Sequence, residues 1–244
     1  MIMKTWTLRL LATVVLIAGL LLVIILNPIL TYANKTSIGA VTIYHQQKLD
    51  KDLISSSSQA LEILKISPWY RDGLHLEICL NDGSAYPTII RTLRGPAFAW
   101  GFYNKVVLQG KVNAAANTVE LNGYRWNLTQ LLAHEMTHCM QYDRLGLLKS
   151  KPVASIPDWK WEGYAEYVAR QGANRHDFVT DLDRLDKTDT NAWAVTLDDG
   201  TVAPRNYYEA WLLVRFCLDI KKMTYEELLT DSRTEEEWKQ QMRN

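Results

Sequence analysis

The strongest pattern along this chain is an uncharged apolar run at residues 10–26, broken by Asn27-Pro28 and extended a little by Ile29 and Leu30. A spanning helix needs about 20 apolar residues, with a range of roughly 17–25. A signal-peptide core is shorter, typically about 7–15. The run therefore predicts an uncleaved signal anchor and transmembrane helix. A cleaved signal peptide, giving a secreted protein, is the competing reading, because Thr31-Tyr32-Ala33 loosely resembles a cleavage site. Lys4 and Arg9 precede the run and Lys35 follows it. Positive charge ahead of the segment predicts a cytoplasmic N-terminus and a domain on the extracytoplasmic side. Residues 1–35 thus read as anchor and linker, and residues 36–244 as one domain.

Within that domain the patterns are shorter. Residues 39–46 read as a strand. Residues 50–65 read as a helix with Leu53, Ile54, Leu61 and Leu64 on one side and serines 55–58 exposed. Residues 74–80 alternate apolar and polar, as in a half-buried strand, and Asn81-Asp82-Gly83 closes it. A short helix follows at 85–93, then strands at 97–101, 106–109 and 118–121. Asn122-Gly123 is a turn signal ahead of a helix over 127–145, which stops at Gly146. Residues 147–157 form a loop. Asp158 is the expected N-cap of a helix over 159–171, ended by Gly172. Residues 173–204 read as an irregular polar excursion. Residues 207–221 form an apolar helix, with terminal helical pieces at 224–229 and 234–241. Strands come first and helices later, which predicts α+β rather than an alternating parallel sheet.

Composition adds limits. The 244 residues carry a formal net charge of zero, which gives no sign of a nucleic-acid partner. Removing the apolar segment leaves about 210 residues, enough for one sizeable core. Nine tryptophans and twelve tyrosines are many; they predict packing first and aromatic cleft walls second. Cys79, Cys139 and Cys217 are too few for a disulfide scaffold. Nothing in the sequence sets an oligomeric state.

His134-Glu135-Met136-Thr137-His138 carries the chemistry. Helix positions i and i+4 share a face, so both imidazoles can reach one metal ion. Glu135 projects beside that axis, where it can hold and deprotonate a water. Cys139 is rotated by roughly 100° from His138, so it reads as a small buried hydrophobe. Zinc in a hydrolase usually has three protein ligands and an open position. Glu162, in Trp161-Glu162-Gly163-Tyr164-Ala165-Glu166, is the best third ligand. Gly163 removes a side chain where the two helices would come close. Glu166, one turn on, can accept from the outer N–H of a ligand histidine. Asp181, Asp183, Asp186 and Asp189 lack the glycine and closing glutamate of a calcium loop and read as a solvated acidic loop.

H-E-x-x-H followed by E-G-x-A-E resembles the gluzincin metallopeptidases, the group of thermolysin and the membrane-alanyl aminopeptidases, and most of all its small peptidase-MA-like domains. The resemblance rests on residues 127–171. It implies a zincin-like domain: a small mixed sheet, an active-site helix pair and C-terminal helices. It implies one Zn2+ ion on His134, His138 and Glu162, with Glu135 as general base. The group often has Asn before the ligand glutamate, where this chain has Trp161. It commonly takes its oxyanion donor, a Tyr or His, from a later helix. Tyr207 and Tyr208 are the candidates, with His176 a weaker one; His45 and His75 read as structural. An edge strand ahead of the motif usually aligns an extended substrate, a place that residues 97–101 or 106–108 would fill. The expected function is a membrane-anchored zinc metallopeptidase acting on a peptide or protein substrate. The alternatives are a catalytically inactive zincin-fold scaffold at the membrane and a zinc hydrolase of non-peptide amides.

Overall fold

The computed structural model describes residues 2–172 and 176–244, so the first three residues of the expected polar excursion lie outside the described residues. Helix α1 (Ile2–Leu26) is the apolar N-terminal segment. Its stretch Leu8–Leu26 has mean hydropathy 2.8 with none of it buried, so it is long and apolar enough to cross a membrane. An anchor and a signal sequence both meet that description. The expected linker is shorter than the sequence suggests, because β1 (Asn34–Ile38) already begins at Asn34. This strand has no apolar pattern of its own; its pairing with β2 (Val41–His45) across Gly39 (φ 57°) makes it a strand.

Helix α2 (Lys51–Leu64), capped by Asp50, leads to β3 (Leu76–Cys79). Helix α3 (Tyr86–Arg94) leads to β4 (Ala99–Phe102), which forms a hairpin with β5 (Lys105–Leu108). The sheet order is β1-β2-β3-β5-β4. The β2–β3 and β3–β5 pairs are parallel and the two outer pairs antiparallel. The mixed sheet of an α+β domain is therefore present, but α2 and α3 sit between its strands rather than after them. A second sheet joins β6 (Lys111–Asn113), β7 (Thr118–Leu121) and β8 (Tyr124–Asn127). Asn122-Gly123 connects β7 to β8, a strand the sequence reading lacked.

Helix α4 (Leu128–Leu145) carries the H-E-x-x-H motif. The Asn127 side chain accepts from Gln130 N–H (3.1 Å), and Gly146 at φ 76° ends the helix. A 3-10 turn, Leu147–Lys149, precedes α5 (Asp158–Ala169). Asp158 lies inside the first turn instead of capping it, and its carboxylate pairs with Lys151. The expected irregular excursion contains α6 (Phe178–Lys187) and a hairpin of β9 (Ala194–Thr196) and β10 (Val202–Pro204). Of its aspartates Asp183, Asp186 and Asp189 are exposed, as expected, although the first two stand on α6 and pair with Lys187 and Arg243; Asp181 departs from the expectation, buried 2.6 Å from Arg215 Nη1. Helix α7 (Arg205–Arg215) widens into a π turn at Phe216–Ile220. Helices α8 (Tyr225–Thr230) and α9 (Glu235–Arg243) each open with a capping box, at Thr224 and Thr234.

Successive strand residues point to opposite faces. Ile43, Ile78, Val106 and Leu108 enter the main core with α2, α4, α5 and α7, whereas Tyr44, Cys79 and Val107 join Tyr86 and Ile90 of α3 in a second cluster. Covering both faces explains why β5 is fully buried. Two of the serines expected to be exposed are buried: Ser57 sits one turn after Leu53 and bonds its carbonyl (2.8 Å), and Ser56 bonds Asn117 (3.1 Å). All three cysteines are buried and free.

Gly163 admits a close approach, but to α7 rather than α4. A Cβ there would stand 2.4 Å from the Ala210 carbonyl oxygen and 2.8 Å from Val214. Gly163→Ala is expected to cost about 1–3 kcal/mol through overpacking, read as a lowered denaturant midpoint. Gly172→Ala, whose Cβ would meet nothing within 4 Å, is expected to stay within about 0.5 kcal/mol of wild type.

Candidate metal centre

Helix α4 turns His134 and His138 to one face, and α5 brings Glu162 against them. His138 Nε2 lies 3.1 Å from His134 Nε2 and 3.2 Å from Glu162 Oε2. His134 Nε2 lies 3.3 Å from the same oxygen. This His/His/Glu group is compatible with a metal ion.

The outer partners fix which ring nitrogens carry hydrogens. Gln141 Nε2 donates to the Trp161 carbonyl (3.1 Å), so its Oε1 faces His138 Nδ1 at 2.8 Å as an acceptor. His138 Nδ1 therefore holds the proton. His134 Nδ1 lies 3.1 Å from the Glu166 carboxylate, and both atoms are buried. That carboxylate is in turn held by Arg170 at 2.7 Å. Both Nε2 lone pairs then point inward, toward each other and Glu162. Tetrahedral ligands at about 2.0–2.1 Å from one ion stand roughly 3.3 Å apart, close to the spacing found.

The electrostatics agree. Burial opposes a charge on His134, but the close Glu162 and Glu166 carboxylates outweigh it and raise its pKa to about 10. Glu162 is likewise opposed by burial, yet His138 and His134 hold it well below the usual carboxylate range. Burial also opposes Glu166, and Arg170 and His134 overcome it. The carboxylates thus demand a positive charge at this point, which a proton or a metal cation meets.

Aromatic rings clamp the imidazoles. Tyr207 stacks on His134 (centroids 5.6 Å, 12°), Trp126 meets it edge-on, and Trp161 stacks on His138 (5.5 Å, 10°). Trp161 thus gives a ring to His138 and a carbonyl to the glutamine behind it.

Glu135 is buried beside the group without being one of its three members. Burial raises its pKa, against His134 and His138, which lower it. It rests on β4, where a Cβ at Gly101 would stand 2.9 Å from Glu135 Oε2 and 2.4 Å from its backbone oxygen. The cleft has a volume of about 440 Å3. Beside the histidines its walls include Phe98, Trp100, Trp126, Trp161, Trp193 and Tyr207. Residues 97–101 line it, and β4 is the sheet edge, whereas β5 is enclosed between β3 and β4.

The two candidate tyrosines part company. Tyr207 faces the cleft near Glu162; burial, and then the charge of Glu162, raise its pKa well above the usual value. Tyr208 donates to Asp181 (3.1 Å) in a separate cavity on the other side of α7. His176 lies in that second cavity, paired with Asp198 at 2.7 Å. His45 bonds Thr36 and the Gln47 carbonyl, and His75 approaches Thr42 at 3.5 Å.

Gln141 and Trp126 are not among the residues expected at the site, and Gly101 is expected only as the end of the edge strand 97–101, not as the seat of Glu135. Gln141 sits at i+3 from His138, a helical neighbour, and Gly101 is a glycine inside a strand pattern, a sign of close backbone approach. No family model matches this chain, and no curated protein matches it. Gln141→Ala is expected to weaken binding of zinc or cobalt by about 10–100-fold with the fold retained, measured by competition with a chelating dye. Tyr208→Phe is expected to leave that affinity unchanged.

Proposed function

We propose that this protein is a zinc-dependent peptidase of gluzincin type, anchored by α1 with its domain on the extracytoplasmic side. One observation carries the reading: three lone-pair atoms converge within 3.3 Å beside a fourth buried group, Glu135, that is not among them. The order H-E-x-x-H then E-G-x-A-E supports it, as does the donor set, since two imidazoles and one carboxylate suit a catalytic zinc site. A zinc ion there would supply a Lewis acid and lower the pKa of a water toward neutrality.

The chain's own groups do the rest. Glu135 takes the water's proton as oxygen attacks the peptide carbonyl, then hands it to the leaving amine as the carbon–nitrogen bond breaks. A buried carboxylate is a stronger base than an exposed one, which favours that transfer. Tyr207, kept protonated, offers its hydroxyl to the oxyanion. The free edge of β4 offers main-chain donors and acceptors to an extended peptide. Arg9, ahead of the apolar segment, supports an outward-facing domain. A scaffold without turnover has no need of Glu135 at this position, so the first reading stands above it.

Glu135→Gln is expected to retain the metal content of wild type, by elemental analysis, and to cut peptide-library cleavage at least about 100-fold. A wild-type protein without bound metal, or a variant that cleaves as fast, would sink the reading.

A further inference from the structure

The end of the apolar helix and the cleft share a wall. The Tyr86 hydroxyl donates to Ile25 O at 2.7 Å. Ile24 and Ile25 pack against the cluster that holds Tyr86 and Ile90, and Trp100 and Phe102 pack against it too. Trp100 lines the cleft, and its neighbour Gly101 abuts Glu135. The Tyr86–Ile90 cluster and strand β4 therefore stand between the last turn of α1 and Glu135.

The connection between helix and sheet has no slack. Asn27 bonds back to Val23 O (2.8 Å), and Thr31 O accepts from Gln46 and Ser84. The Tyr32 hydroxyl donates to Leu80 O (2.7 Å), and Ala33 N–H donates to the Gln46 side chain (3.0 Å). A domain meant to range far from a bilayer needs a free linker, typically Gly- and Ser-rich. Residues 27–33 are the opposite of one.

The surface beside the helix fits lipid headgroups. Leu93 lies one turn beyond Ile90 on the same side of α3 and is 54% exposed. Ile29 and Leu30, just past α1, are 41% and 61% exposed. Arg94 stacks over Trp100 at 4.5 Å. Exposed aliphatics with an arginine and a tryptophan are what the membrane–water interface accommodates.

From this we infer that the α3–β4 side of the domain rests at headgroup level, so that the cleft takes juxtamembrane segments of polypeptides held in the same bilayer. The inference rests on reading α1 as an anchor and the site as a peptidase. It adds the substrate class: a chain tethered to the membrane close to the bond that is cut.

The test uses the full chain in phosphatidylcholine vesicles. A peptide chosen by library cleavage is supplied free, or fused to a transmembrane helix through spacers of graded length. At equal bulk concentration the short-spacer form should be cleaved at least about tenfold faster than the free peptide, because tethering raises effective concentration. That advantage should fade as the spacer lengthens. Equal rates, or rates that rise with spacer length, overturn the inference and leave the peptidase reading intact. No cleavage of any library peptide, free or fused to the helix, removes both. A second measurement needs no turnover. The native cysteines are buried, so Leu93→Cys takes a fluorophore selectively. Headgroup spin-labelled lipid should quench it and spare the same label at Glu236→Cys on α9. Absence of quenching at position 93, or equal quenching at both, overturns the inference.

Discussion

Without a proton or a cation between them, three acceptor atoms within 3.3 Å of one another repel, and taking each out of water costs about 1–3 kcal/mol when it lacks a partner. The rest of the domain is arranged so that this convergence persists. Glu166 and Gln141 hold the outer nitrogens of the two rings, which directs the inner lone pairs to a single point. Arg170 and the Trp161 carbonyl hold those holders in turn. Backbone approach sets the positions of the helices themselves. Gly163 lets α5 lie against α7, and Gly101 lets α4 lie against the sheet edge. Both glycines adjoin the chemistry, one next to Glu162 and the other under Glu135.

A single residue step decides what α7 contributes. Tyr207 and Tyr208 are adjacent, so their side chains leave the helix roughly 100° apart. One closes the cleft over His134, while the other closes a cavity built around the buried Asp181–Arg215 pair. Asp181, in the acidic stretch before α7, thus belongs to the scaffold that holds this wall in place.

What could be read in the sequence was whatever a local period encodes. The i, i+4 histidines, the Asn127 and Gly146 ends of α4, and the helices around Leu53 and Trp161 follow from neighbours within one or two turns. Glu162 came into view because a glycine and a second glutamate stand beside it. Features set by distant partners stayed hidden. Strand β1 has no apolar alternation and exists through its pairing with β2. Ser56 and Ser57 look like surface until α4 packs over them. Asp181 looks like solvent charge until Arg215, on α7, reaches it. Gln141 is an ordinary helix residue until the Trp161 carbonyl fixes the direction of its amide.

The stacked rings on His134 and His138 also carry a consequence in time. A histidine usually releases an ion by swinging its ring aside, one ligand after another. Here each ring is pinned face-on by Tyr207 or Trp161 and tied at its far nitrogen. Swinging His138 breaks a hydrogen bond and a stack together, and swinging His134 breaks a stack and pulls its buried Nδ1 off the Glu166 carboxylate, so stepwise peeling has no low path. An ion held at this point would exchange slowly even where its equilibrium affinity was ordinary, and brief exposure to a chelator would leave it in place.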